Sequence, residues 1–175
     1  MRALTLPPLA AALAMSLGGV SVGFAQTCPS TGFTRDAPNS RYAVQTDTSQ
    51  VKDSKTTLVW QRCSIGQTWT TGTACTGTAT TMNWQAALTA AAAAGSSSGF
   101  AWRVPNIKEL NSLVETACNA PAINASMFPG TVPWRYFSSS SKGSAGWIVD
   151  FNSGGYVDLD NKTYSYYVRL VRSSQ

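Results

Sequence analysis

The 175-residue chain contains no histidine. That absence removes Ser-His and Cys-His nucleophile activation together with the commonest transition-metal ligand. Glutamate is nearly missing too, with Glu109 and Glu115 alone. A glycosidase needs two placed carboxylates, and on one helix these two would sit about 120° apart at about 100° per residue. No Lys/Arg-rich run is present, which argues against a nucleic-acid partner. Outside the first 25 residues no stretch approaches the length of a membrane span, and that first run is itself too short for a stable anchor.

Residues 1–25 hold one charge, Arg2, and a Leu/Ala-rich run broken by Pro7, Pro8 and Gly18-Gly19, ending at Gly23-Phe24-Ala25. This pattern predicts a secretory signal peptide cleaved after Ala25. Removal leaves 150 residues, enough for one domain with a real core, and 12 basic against 8 acidic residues, a net charge of +4. Four cysteines in an exported chain imply two disulfides. Cys63 and Cys75 enclose SIGQTWTTGTA, and closing a loop of that size would stabilise the fold by roughly 3 kcal/mol. Cys28 lacks the small-residue context of a lipid-attachment site, so it is expected to pair with Cys118 by elimination.

Along the mature chain, residues 26–50 read as an irregular lead-in, although RYAVQ, and VKDSKTTLVWQRC after it, carry short alternations expected of strands. Thr81 or its neighbour would cap a first helix through MNWQAALTAAAAA, with Trp84, Ala87, Leu88 and Ala91 as its stripe and Gly95 ending it. Pro105 keeps Val104 extended and Asn106 caps a second helix from Ile107 with Glu109 at its third position. Leu110, Leu113 and Val114 extend that helix's core stripe, and Cys118 would pin its end. Trp102, Pro105, Asn106 and Glu109 are therefore structural.

The Pro-interrupted segments PAINASMFP and GTVPWRYF are expected as loops. GWIVDF turns through NSGG into YVDLD, a hairpin over 146–160 in which Trp147, Val149 and Phe151 share one face. SYYVRLVRS reads as a last alternating strand. Helices and hairpins in this order give an α+β domain.

The pieces VKDSKTTLVWQRC, MNWQAAL, GFAWRVPNIKELNSLV, PAINASMFPGT, YFSSSS, GWIVDF and YYVRLVRS occur in the order of the Lcl C-terminal domain family, named for a bacterial collagen-like adhesin. The chain resembles that family over residues 51–172. The Trp-Arg-x-Pro step into a helix with Glu-Leu is also similar to formylglycine-generating-enzyme-like domains of the broader C-type-lectin-like fold. The resemblance implies a C-type-lectin-like domain with two helices packed on twisted antiparallel strands and long loops. It divides the chain into 1–25, a signal peptide; 26–50, the lead-in; and 51–175, the Lcl C-terminal-like domain. Many relatives carry a cysteine where this chain has Leu170, with the residue matching Cys118 as its partner; Cys28 is the available substitute here.

Sugar-binding lectins of this fold that use calcium usually show Glu-Pro-Asn or Gln-Pro-Asp followed by Trp-Asn-Asp, and this chain shows neither. Asp158, Asp160 and Asn161 supply too few oxygens for calcium and read as a solvated hairpin end. Gly95-Ser96-Ser97-Ser98-Gly99 matches G-x-S-x-G without its strand or histidine and reads as a flexible loop. Ser139 and Lys142 match S-x-x-K without the companion K-T-G. No catalytic residue, metal or cofactor is expected.

Trp69 and Trp134 lack an apolar register and are candidates for exposed contact, whereas Trp60, Trp84, Trp102 and Trp147 are expected in the core. The Tyr/Ser/Asn/Gly-rich last third suits an adaptable binding surface. The candidate ligand-binding residues are Trp134, Arg135, Lys142, Tyr156, Lys162, Tyr164, Tyr167, Arg169 and Arg172. If the basic residues among them converge, they would attract sulfated or phosphorylated polymers.

The expectation is a non-catalytic binding module, periplasmic, secreted or at the cell surface. It would be adhesin-like, recognising an extracellular glycan such as a sulfated polysaccharide, or a protein. The competing expectations are an accessory subunit of a pilus or envelope assembly and, less favoured, a formylglycine-generating-type enzyme, which needs a reactive cysteine pair.

Overall fold

The computed structural model describes residues 26–29, 32–72 and 74–174. The expected signal peptide, 1–25, lies outside the described residues. After a 3-10 turn at Asn39–Arg41, strands β1 (Tyr42–Val44), β2 (Gln50–Asp53) and β3 (Leu58–Gln61) follow, then the short pair β4 (Thr68–Thr70) and β5 (Ala74–Thr76). Helices α1 (Trp84–Ser98) and α2 (Ile107–Asn111) precede β6 (Arg135–Lys142), β7 (Ala145–Asp150), β8 (Tyr156–Asn161) and β9 (Val171–Ser173). The strands form antiparallel sheets in the orders β1-β2-β3-β9, β4-β5 and β6-β7-β8. The architecture is α+β.

Helix α2 begins where Pro105-Asn106 requires. Asn106 Oδ1 accepts from Glu109 N at 3.0 Å and Glu109 Oε2 accepts from Asn106 N at 2.8 Å, a complete capping box. Both guanidinium nitrogens of Arg103 donate to the same glutamate, at 2.7 and 2.8 Å. These bonds hold Glu109 below its ordinary pKa although burial alone would raise it. Replacing Asn106 by alanine is expected to cost about 1 kcal/mol in chemical denaturation and to leave ligand affinity unchanged; an affinity loss at unchanged stability would contradict that. The helix is shorter than the apolar stripe predicts. It stops at Asn111, and Leu113 and Val114 are buried from the turn that follows, so Cys118 lies in a loop rather than at a helix end.

Helix α1 is capped by Asn83, whose Oδ1 accepts from Ala86 N at 2.9 Å, not by Thr81. It also runs past Gly95, whose place is explained by packing: a Cβ there would sit 3.2 Å from Phe100 O. The left-handed Gly99 (φ 72°) closes the helix instead, so Ser96–Ser98 form its last turn rather than a loop.

Two apolar clusters lie on opposite faces of the sheets. One gathers Val51, Trp60, Leu110, Leu113, Ile123, Phe128, Tyr136, Val149, Phe151 and Val171. The other gathers Val59, Ala87, Ala91, Trp102, Val104, Phe137, Ile148, Tyr166, Val168 and Leu170. Alternation along β3, β7 and the last strand sends neighbouring residues to different clusters, as a strand of period two must when both faces are covered. Hence Ile148 is as buried as Val149, while Trp147, expected in the core, is only half-buried.

The region 26–50 is not an irregular lead-in. Besides the 3-10 turn it contains β1 and the first residue of β2. It is tied to the domain by the Cys28–Cys118 disulfide and by Thr27 bridging Asn119. The fully buried carboxylate of Glu115 completes the attachment, accepting from the backbone N–H groups of Asp36, Ala37 and Ala117. The second disulfide joins Cys63, just after β3, to Cys75 in β5.

Two further expectations give way. The segment GTVPWRYF, expected as a loop, already enters strand β6 at Arg135, and the serines that follow in that strand hold the start of α2: Ser139 N and Oγ donate to Pro105 O, and Ser140 Oγ accepts from Ile107 N. The last strand is interrupted, because residues 166–170 pass between sheets, bridging Met82 and Tyr136 before β9 begins.

Candidate functional site

The C-terminal half builds one aromatic rim. Trp134 stands before β6 with its backbone pinned, its N donating to Val132 O at 2.8 Å and its O accepting from Phe151 N at 3.1 Å. Its ring remains 49% exposed. Tyr156 opens β8 at 54% exposure, and Tyr164 follows the turn after β8 at 55%. By register, Arg135 and Asp150 face each other across β6–β7, and Asp150 faces Tyr156 across β7–β8. Period two then places Tyr156, Asp158 and Asp160 on one face of β8.

Arg135 joins these groups. Its Nη1 donates to Asp160 Oδ2 at 2.7 Å and to Tyr166 Oη at 3.2 Å, and its Nε lies 3.7 Å from Asp150 Oδ2. Tyr166 in turn donates its hydroxyl to Asp160 Oδ2 at 2.5 Å. The bond to Tyr166 and the nearby carboxylates raise the pKa of Arg135, and burial together with Asp160 raises that of Tyr166, so the phenol stays protonated. The Arg135 guanidinium carbon lies 5.9 Å from the Trp134 ring and 5.8 Å from that of Tyr166, which stacks edge-on with Tyr164 at 6.5 Å. The result is a run Trp134, Arg135, Tyr166, Tyr164 with carboxylates alongside.

The basic residues do not converge. Arg169 is completely buried and donates to Gln61 O, Arg62 O, Ser64 Oγ and Thr131 Oγ1, so it cannot be a surface contact. Arg172 belongs to the four-stranded sheet, stacked over Phe100 (4.4 Å) and Trp102 (5.4 Å) and bonded to Gln50 Oε1. Lys162 places its ammonium 4.4 Å over the half-buried Trp84 ring and donates to Gly143 O, near the exposed Lys142 at the β6–β7 turn. Tyr167 is half-buried against Tyr136, 5.5 Å between centroids. Of the nine candidate ligand residues, Trp134, Arg135 and Tyr164 lie along this run, and Tyr156 lies two strands from Arg135, across Asp150.

Trp69, a candidate for exposed contact, is half-buried on Arg62, 4.0 Å from its guanidinium carbon, and donates to Thr48 Oγ1. Asp158 and Asp160 form no simple solvated hairpin end. Strand β8 is the outer strand of its sheet, and its outward Leu159 N and Asn161 N are capped at 2.8 Å by Asp158 Oδ1 and Asp160 Oδ1. Such caps remove the donors that an added strand would use. Sequence reasoning passed over Asp150, Asp160 and Tyr166 as site residues. The alternation Tyr156, Asp158, Asp160 could have signalled one shared face, but only the sheet register brings Arg135 to it.

A cleft of about 400 Å³ is lined by Gln26, Arg35, Asn39 and Asn124, none of them a rim residue. Its amides are already committed: Asn124 Nδ2 to Ala37 O and Asn39 Oδ1, Gln26 Nε2 to Pro121 O and Ile123 O. Among the described residues every cysteine is in a disulfide, no cluster of three or more metal-ligating side chains is found, and no helix is long and apolar enough to cross a membrane. The hydroxyl of Ser139 is spent on Pro105 O.

A family model of the Lcl C-terminal domain matches residues 49–172. No curated protein and no solved structure matches the chain.

Proposed function

Since the chain belongs to the Lcl C-terminal domain family, an adhesin-like domain, we propose that it is an exported, non-catalytic module that recognises a glycan through the rim around Arg135. The two disulfides accord with export, whether to the periplasm, the medium or the cell surface. The observation that carries the reading is the run of exposed Trp134 and Tyr164 rings joined through Arg135 and Tyr166. Exposed aromatics on a pinned backbone offer large contact area at low entropic cost, and Trp, Tyr and Arg dominate binding energies. Two helices packed with antiparallel sheets support a C-type-lectin-like placement as part of the same reading. The alternative, an accessory subunit of an envelope assembly, would most simply add a strand at β8, and the aspartate caps oppose that mode.

The test is binding of the purified chain to a panel of immobilised neutral and sulfated glycans, repeated with Trp134→Ala and Trp134→Ala/Tyr164→Ala. Each variant should lose about tenfold or more in affinity at an unchanged melting temperature, because both rings are exposed. Binding that is indifferent to both variants would refute the face.

A further inference from the structure

We propose that the rim takes an uncharged pyranose polysaccharide, not a sulfated one; this rests on the glycan reading of the same face. The charge arrangement decides the class. Arg135 is the cation at the centre of the rim, and it faces Asp150 and Asp160, with Asp158 on the same face. One guanidinium against three carboxylates leaves no excess positive charge for a sulfate, and the nearby aspartates repel it. The other basic candidates do not correct the balance: Arg169 is buried, Arg172 is stacked on Phe100 in the other sheet, the Lys162 ammonium is directed to Gly143 O and the Trp84 ring, and the exposed Lys142 lies at the opposite end of β6 from Arg135.

The same groups fit a neutral sugar. Hydroxyls need acceptors, which the Asp158 carboxylate retains after capping one backbone N–H, since a carboxylate offers about four lone-pair sites, whereas Asp160 already accepts from Asn161 N, Arg135 and Tyr166. Sugar oxygens need donors, and Arg135 Nη2 has no partner among the described residues while Nη1 is held by Asp160 and Tyr166. Trp134, Tyr156 and Tyr164 supply flat apolar surfaces for the C–H faces of pyranose rings. The fixed Arg135–Asp160–Tyr166 network makes those polar groups rigid, so little side-chain entropy is lost on binding.

The experiment is biolayer interferometry of the full mature chain on immobilised mannan, laminarin and galactan against heparin and dextran sulfate, at about 50 and about 500 mM NaCl. The expected result is binding to at least one neutral polymer, changed less than about twofold by salt, with Trp134→Ala weakening it about tenfold or more. Salt-sensitive binding to the sulfated polymers alone, lost in Trp134→Ala, would keep the rim as the binding face and overturn the neutral class. Binding indifferent to Trp134→Ala, or binding to none of the polymers, would overturn the face and this inference together.

Discussion

Replacing Asp53 by alanine should destabilise the chain by about 3–5 kcal/mol, the loss typical of a buried ion pair deprived of one partner. The Arg41 and Asp53 side chains are 6% and 0% exposed, and two of their bonds, Nε to Oδ1 at 2.7 Å and Nη2 to Oδ2 at 2.5 Å, form a bidentate clamp. Lys55 N and Thr56 Oγ1 fill the remaining carboxylate positions, at 2.9 and 2.7 Å. The clamp closes the β1–β2 hairpin where Tyr42 pairs with Asp53. Without the carboxylate, a guanidinium is left buried and uncompensated. Thermal or urea denaturation should show the loss, and Arg41→Met/Asp53→Leu should lose much less, since apolar replacement removes the unpaired charge. Equal losses in both variants would show that packing, not charge, holds this hairpin.

The same pair sets a pH dependence. Burial alone would raise the Asp53 pKa, but the bonds from Arg41, Thr56 and Lys55 outweigh it and hold the carboxyl below its ordinary value. The unfolded carboxyl titrates near about 4, so on acidification the unfolded chain takes up the proton first. The contribution is therefore complete above about pH 4 and disappears as pH falls through the depressed folded value. Wild-type stability should fall more steeply below about pH 4 than that of Asp53→Ala.

Arg169→Met should cost about 3 kcal/mol or more, because each buried acceptor left dry costs about 1–3 kcal/mol. The guanidinium serves Gln61 O at 2.9 Å, Arg62 O, Ser64 Oγ at 3.3 Å and Thr131 Oγ1 at 2.7 Å, and lies 5.0 Å from the Phe128 ring. It joins the end of β3 to the segment before β6. Burial lowers its pKa, yet an arginine remains protonated in a protein. Urea denaturation of Arg169→Met, with glycan binding measured below its midpoint, separates the two roles this residue could have. Reduced stability with retained binding is expected; intact stability with lost binding would make it a ligand contact.

The contrast between Arg169 and Arg135 shows where sequence reading stops. Both are arginines in the tyrosine-rich last third, Arg135 between Trp134 and Tyr136 and Arg169 between Val168 and Leu170, and alternation alone cannot say whether a strand has one face in water or two faces covered. At Arg169 the chain passes between sheets and both faces close. At Arg135 the strand begins at the domain edge, and the guanidinium meets carboxylates from β7 and β8. The loop expected over GTVPWRYF failed for a related reason: nothing local shows that the strand it enters is anchored by serines whose hydroxyls and backbone groups are matched to Pro105 and Ile107.

What the sequence determined by itself were the features fixed by neighbours along the chain or by composition. The Asn106–Glu109 capping box, the β7–β8 hairpin, the α+β class and the family all rest on local spacing or on the order of short segments. The tertiary structure alone decided which charged residues are buried, where the helices end and which side chains meet at the rim. Those outcomes depend on desolvation and on register between strands distant in the chain, energies that exist only once the sheets have packed.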